Sequence, residues 1–145
     1  MPTSFDEIYK RFLAKIADYE MLEYGEATLE EYLLDLLTAS IDDFSELCKQ
    51  DISTVDLSLS MFYVTLTQRE KDILALGMVV HWIRPKVYNS DMLRNVLNTK
   101  DYSVYSPANL LEKMTDLLGK TETELDQKMK MYSYRNEDMA SLITS

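Results

Sequence analysis

The chain has 145 residues, a length typical of one domain with a single hydrophobic core. Its 25 acidic and 15 basic side chains give a net charge of -10, and residues 1–60 hold fourteen of the acids but only four of the bases. Binding of free nucleic acid needs clusters of Lys and Arg that neutralise phosphates, so this composition argues against a nucleic-acid-binding protein. The acidic surface is either a solubilising face or one that repels or mimics DNA.

The residues that usually carry chemistry are few. Cys48 is the single cysteine, so no intrachain disulfide can form. His81, the single histidine, has no Cys or His partner at metal-ligand spacing and is expected to be hydrogen-bonded in or near the core, or to lie at an interface. The three glycines are isolated, which excludes a phosphate-binding loop. We therefore expect no enzyme activity, no metal and no cofactor, and the first residues, from Met1 to Asp6, predict no secretory signal.

The most informative segment of the sequence is residues 66–85. Thr67 and Glu70 form a capping-box pair, which predicts a helix start. From Ile73 to Ile83 every residue except His81 is apolar, so this helix must be surrounded on all sides. The apolar run is too short to cross a bilayer, and Pro85 places the predicted helix end near Ile83.

Two amphipathic helices are predicted before this segment. Ser4 and Glu7 form a capping box for a helix from Phe5 to about Ala17. Thr28 and Glu31 form another, for a helix that reaches about Lys49. The outer face of this second helix is acidic, with Glu30, Glu31, Asp35, Asp42, Asp43 and Glu46.

Between Asp51 and Leu66 the apolar period changes to two. Val55, Leu57, Leu59 and Met61 alternate with polar residues, as in a half-buried strand. No second alternating run is present to pair with it. The segment is therefore an extended loop, half of a small hairpin, or an edge that pairs with another chain.

The C-terminal part adds more helix. Residues 91–97 predict a short helix, residues 98–105 a polar linker, and Ser106–Pro107 the start of a long helix towards Tyr132. Residues 132–145 retain apolar and tyrosine side chains, typical either of a docking tail or of an ordinary frayed terminus. The predicted fold is mainly α: a small helical bundle (1–131) around one apolar central helix, with an extended or short β segment near residues 55–65 and an extended C-terminal tail (132–145).

Three segments carry a resemblance to a known class of proteins: residues 66–82, residues 106–109 and residues 132–134. They resemble the small head-to-tail adaptor, or neck, proteins of tailed phages, most closely those of phages that infect Gram-positive hosts. Those proteins have a similar apolar helix that follows a Leu-Thr-x-x-Glu-like start and ends in a tryptophan.

The resemblance implies a structural virion protein made in the host cytoplasm and located in the neck. It would form a homo-oligomeric ring, expected to be dodecameric, between the portal protein and the tail or neck proteins. DNA would pass through without sequence-specific binding, and no membrane would be involved. The expected partner interface combines the strand-like segment with the tail: Met61, Tyr63, Val64, Tyr132, Tyr134, Arg135, Met139, Leu142 and Ile143.

A second hypothesis follows from the acidic surplus of residues 1–60. The chain would then be an acidic helical binding or regulatory module, such as a DNA mimic or an inhibitor of a host protein. The two hypotheses differ in the expected state of the pure protein, which is a ring in the first case and a monomer in the second.

Overall fold

A computed structural model describes the backbone of residues 2–16, 26–88 and 107–144, and the side chains of these residues except 26–28, 107–111 and 136–144. Within these ranges the chain is mainly helical, as predicted, with four helices and one short two-stranded antiparallel sheet. In chain order the elements are α1 (Phe5–Lys15), α2 (Glu26–Phe44), β1 (Val55–Asp56), β2 (Met61–Phe62), α3 (Gln68–Tyr88) and α4 (Pro107–Thr144).

Helix α3 is the centre of the core. From Ile73 to Ile83 every side chain is buried except His81, which is half-buried. Helices α1, α2 and α4 each pack against α3, and together they cover the faces of a helix that has no polar side. The prediction of an enclosed apolar helix is therefore confirmed.

The predicted capping boxes at α1 and α3 are present. The Thr67 N–H donates to Glu70 Oε1 at 2.8 Å and the Glu70 N–H donates to Thr67 Oγ1 at 3.2 Å. At α1 the Ser4 N–H donates to Glu7 Oε2 at 3.1 Å. Both helices thus begin where a local pair three residues apart satisfies free backbone N–H groups.

Other predicted helix ends are wrong. Helix α2 begins at Glu26, so Thr28 lies inside it, and it ends at Phe44 rather than near Lys49. There the Phe44 carbonyl accepts hydrogen bonds from the N–H groups of Leu47 and Cys48 at 3.0 and 2.9 Å, and this bonding closes the helix.

Helix α3 also continues through Pro85 to Tyr88 instead of ending near Ile83. The proline lies in the last turn, where its missing N–H leaves only the His81 carbonyl without a helical partner. Lys86 supports this turn: its Nζ donates to the Trp82 carbonyl at 3.3 Å and lies 4.4 Å from the centroid of the Trp82 ring.

Residues 51–66 form a small hairpin, one of the three predicted alternatives. Val55 pairs with Phe62 and Asp56 with Met61. The outer edge of β2 is covered by the first residues of the same chain, because the Phe62 N–H donates to the Thr3 carbonyl at 2.9 Å and the Phe5 N–H to the Ser60 carbonyl at 2.8 Å. This edge is therefore occupied within the chain.

Helix α4 begins at Pro107, as predicted, and buries Met114, Leu118, Leu125 and Tyr132. It passes residue 131 without a break and continues to Thr144, so the segment predicted to be an extended tail is helical up to that residue. The predicted short helix at 91–97 and the linker at 98–105 lie outside the described residues.

Gly77 lies where α2 packs closely against α3. A Cβ atom at this position would lie 2.2 Å from Ser40 Oγ, which donates a hydrogen bond of 2.7 Å to the Leu74 carbonyl. Ser40 is 1% exposed, so its hydroxyl cannot turn away without losing that bond inside the core. A small residue is required here by packing between two helices.

Gly77→Ala is expected to lower the free energy of unfolding by about 1–3 kcal/mol, because the added methyl group displaces the Ser40 hydroxyl. The matched control is Gly119→Ala in α4, where no atom lies within 4 Å of the added Cβ. That change is expected to raise stability by about 0.5–1 kcal/mol through helix propensity. Urea denaturation of both variants measures the difference, and equal effects of the two substitutions would contradict the packing explanation.

Candidate interaction surface

The hairpin ends in a tip, residues 56–60, that presents two leucines to solvent. Leu57 is 65% exposed and Leu59 is 67% exposed. The turn between them is fixed by Asp56, whose Oδ1 accepts hydrogen bonds from the Ser58 N–H at 3.0 Å, the Ser58 hydroxyl at 2.7 Å and the Leu59 N–H at 3.1 Å. These bonds, led by that of Ser58, lower the pKa of Asp56. Ser60 completes the turn with a left-handed φ of 53°.

The stem of the hairpin is anchored in the protein core. Phe62 is 1% exposed, and its ring packs edge-on against Phe5 with a centroid distance of 5.1 Å. Ile52, on the approach to β1, is also buried. Gln50 Nε2 donates to the Thr65 carbonyl at 2.7 Å and so ties the two ends of the segment together. A firmly held stem therefore carries an exposed apolar tip.

The predicted interface residues of the hairpin lie along this stem. Tyr63 is 60% exposed. Met61 and Val64 are half-buried, and the Val64 carbonyl accepts a hydrogen bond from the Thr3 N–H at 3.0 Å. Tyr63 thus offers most of its side chain to a partner, whereas the other two are partly used by the fold.

The predicted interface residues of the C-terminal segment lie in α4. Tyr132 is 6% exposed and faces the core, whereas Tyr134 is 64% exposed and Arg135 is exposed. The side chains of Met139, Leu142 and Ile143 are outside the described part of the chain. Of the described residues of this set, Tyr134 and Arg135 are therefore available to a partner, whereas Tyr132 is used by the fold.

Tyr132 belongs to a polar cluster centred on the buried Glu70, which we call the Glu70 cluster: Glu70, Tyr132, Cys48, Gln50 and Thr67. The carboxylate accepts the Tyr132 hydroxyl at 2.7 Å and Gln50 Nε2 at 2.7 Å, in addition to the Thr67 N–H. The Cys48 thiol lies 3.5 Å from Glu70 Oε2. The Tyr132 hydroxyl also accepts the Lys49 N–H at 3.0 Å. One carboxylate thus joins the start of α3 to the segment that follows α2 and to α4.

The electrostatics of this cluster indicate a structural role. Burial raises the pKa of Glu70, but the hydrogen bonds from Thr67, Tyr132, Gln50 and Cys48 lower it by more, so it lies below its ordinary value of 4.5. Burial raises the pKa of the Cys48 thiol to about 11. The cluster therefore holds an ionised carboxylate and a protonated thiol that is a poor nucleophile.

A groove of about 800 Å³ lies between the start of α3 and α4, and we call it the α3–α4 groove. It is lined by Thr67, Gln68, Arg69, Asp72, Glu124, Gln127, Lys128 and Met131. Asp72 forms an ion pair with Lys15 of α1 at 3.0 Å and another with Lys128 of α4. Although burial opposes it, these two cations hold the pKa of Asp72 below its usual value. Met131 is 54% exposed, so the groove has an apolar surface beside its charges.

Elsewhere, His81 is hydrogen-bonded at the edge of the core, as predicted. Its Nε2 lies 2.6 Å from Asp43 Oδ2 on α2. Within the described ranges, no group of three or more His, Cys, Asp or Glu side chains is placed to hold a metal ion. Nor do those residues contain a helix long and apolar enough to cross a membrane.

Comparison of the chain with protein-family profiles, curated protein sequences and solved structures gives no match.

Two features of the structure, the turn at the hairpin tip and the contact between Glu70 and Tyr132, were not predicted from the sequence. The alternation through Leu57 and Leu59 predicted a half-buried strand, whereas both residues lie in a turn. A signal for the turn was present, because Asp56-Leu57-Ser58, like Asp51-Ile52-Ser53, is an Asp-x-Ser sequence, and these two fold as aspartate-capped turns. The contact between Glu70 and Tyr132 had no such signal, since it joins residues 62 positions apart.

Tyr132→Phe is expected to lower the free energy of unfolding by about 1–3 kcal/mol, because it removes a donor to Glu70 and the acceptor of the Lys49 N–H inside the core. Tyr134→Phe is the matched control on the same helix, and its exposed ring predicts a change within about 0.5 kcal/mol. Chemical denaturation compares the two. An equal effect of both substitutions would show that the cluster contributes no stability.

The Glu70 cluster also predicts a pH dependence. Because the folded-state pKa of Glu70 is lowered, its stabilising contribution is complete above the unfolded value of 4.5 and is lost as the pH falls through the lower folded value. The difference in free energy of unfolding between the wild type and Glu70→Gln should therefore shrink as the pH falls below 4.5. Urea titrations from neutral to acidic pH measure it; a constant difference would contradict this explanation.

Proposed function

We propose that this chain is a non-enzymatic structural subunit of a phage head-to-tail adaptor, which forms a homo-oligomeric ring between the portal and the tail. The observation that carries the proposal is the hairpin tip, where Leu57 and Leu59 are each about two-thirds exposed on a turn fixed by hydrogen bonds. Scattered exposed apolar residues are common, but two leucines on one hydrogen-bonded turn form an apolar surface that another protein can cover. A protein of this kind acts by binding its neighbours.

The identity of those neighbours comes from the resemblance of the sequence to phage adaptors. The residues that carry it include the Thr67–Glu70 helix start and the apolar helix with its Trp82. In the structure they form the capped N-terminus and the buried body of α3, which also positions the hairpin through the adjoining residues 63–66. The proposed location is therefore the neck of the virion, with the portal protein on one side and tail or neck proteins on the other.

The charge of the chain supports a role beside passing DNA without binding to it. Asp35 and Asp42 on α2 are exposed, as is Glu46 just beyond its end, and among the described residues these acids form no ion pair with Lys or Arg. Such a surface repels phosphates, and binding of DNA would require cations that it lacks. Because it repels phosphates, an acidic wall favours the rapid exit of DNA through a channel.

The same acidic face favours a second candidate, an acidic helical module that binds a basic host protein or mimics DNA. This candidate uses the α2 surface alone and needs no contact between copies of the chain. It therefore predicts a monomer, and the oligomeric state of the pure protein separates the two functions.

Native mass spectrometry and electron microscopy of the full chain test the proposal, with a ring of about twelve subunits around a central channel as the expected result. A second sample that ends at Arg135 keeps Tyr132 and its contacts with Glu70, so loss of residues 136–145 should not unfold the chain. We expect this sample to form the ring as well. A monomer at every concentration, alone or mixed with portal protein, would contradict the adaptor function and favour the acidic module.

A further inference from the structure

We propose that the hairpin tip of one subunit docks in the α3–α4 groove of a second copy of this chain. This inference rests on the proposed ring and names the contact that builds it. Leu57 and Leu59 cover Met131 in the groove, and the carboxylates of the hairpin lie near Arg69.

The hairpin has the properties of an inserted element. Its tip is narrow and its turn is fixed by three hydrogen bonds to Asp56, so little conformational freedom is lost when it binds. Its two leucines remove apolar surface from water when they are covered. Between Gln50 and Gln68 the charged residues are Asp51 and Asp56, which make the whole segment acidic.

The groove has the complementary properties. Its volume is about 800 Å³, and Met131 is 54% exposed along it. Lys15 and Lys128 neutralise Asp72, and Lys128 also lies 3.6 Å from Glu124. Arg69 is exposed and has no ion pair with a described residue, so the groove retains a cation that an acidic segment can approach.

The tip does not fill the groove of its own chain. No residue from 56 to 60 lines the groove. The tip lies beside the start of α1, where the Phe5 N–H bonds the Ser60 carbonyl, while Thr3 bonds both Phe62 and Val64 along the strand that leads away towards Thr67. The hairpin is thus tied to the body at several points between tip and groove, and it can enter only the groove of another copy.

A contact between two different surfaces of the same chain is heterologous, and a pair of subunits joined by it retains one free tip and one free groove. Repetition of such a contact closes into a ring when the rotation between subunits allows it. A symmetric contact between two tips would end at a dimer. Tip-to-groove docking therefore accounts for a ring, whereas tip-to-tip docking does not.

Two variants test the proposal. The tip variant, Leu57→Ser with Leu59→Ser, loses the inserted residues but keeps its groove. The groove variant, Arg69→Glu with Met131→Glu, repels an acidic tip but keeps its own tip. All four positions are exposed, so both variants should fold, which circular dichroism checks. The control is Leu47→Ser, an exposed leucine outside both surfaces.

We expect each variant alone to be monomeric, with the contact between subunits weakened about 100-fold or more, and the control to form the wild-type ring. Mixing the two variants should produce a one-to-one dimer and no larger species, because a single intact tip then meets a single intact groove. Sedimentation velocity and native mass spectrometry of the mixture measure this result.

Three outcomes would overturn the inference. Rings formed by both variants would show that the tip and groove are not the contact, while the adaptor function would stand. A groove variant that still dimerises, with no new species on mixing, would indicate tip-to-tip contact. A wild-type chain that remains monomeric would remove both the docking contact and the ring.

Discussion

The constraint on which the structure depends is that α3 has no polar face. Every residue from Ile73 to Ile83 except His81 is buried, so the helix is stable only when other elements surround it. Helices α1, α2 and α4 each pack on it, and Gly77 allows α2 to approach so closely that the Ser40 hydroxyl reaches the α3 backbone. The arrangement of the other helices thus follows from the need to cover one helix.

The polar residues at the start of α3 help to fix the positions of the elements that surround the helix. The Glu70 carboxylate caps its own helix through Thr67 and also accepts hydrogen bonds from Gln50 and from Tyr132. A buried carboxylate without partners would be costly, whereas one with several donors fixes the positions of the segments that supply them. The Glu70 cluster therefore links local helix capping to the tertiary position of α4.

Features that depend on neighbouring residues could be predicted from the sequence, and features that depend on distant ones could not. The capping pairs at Ser4 and Thr67 and the apolar run of α3 are local signals, and the structure contains all three. The bonding of Tyr132 to Glu70 requires the position of α4, which no local pattern encodes.

Two local signals were outweighed by other physical effects. A proline normally ends a helix, but Pro85 costs little in the last turn of α3, where Lys86 packs over Trp82. In the hairpin the two-residue alternation of apolar and polar residues continues through the turn. This pattern predicted that Leu57 and Leu59 share the buried face of a strand with Val55 and Met61. The turn fixed by Asp56 interrupts the strand, and the two leucines are exposed instead.

The position of the hairpin also limits how it can bind. Residues 3–5 occupy the outer edge of β2, so a partner cannot extend the sheet along that strand, whereas the side chains of the tip are exposed to it. Binding through side chains on a fixed turn requires a recess of matching chemistry, whereas strand addition requires only a free edge. An acidic hairpin with apolar residues at its tip therefore favours a groove that offers both an apolar surface and a cation, and the α3–α4 groove of the same chain provides Met131 and Arg69.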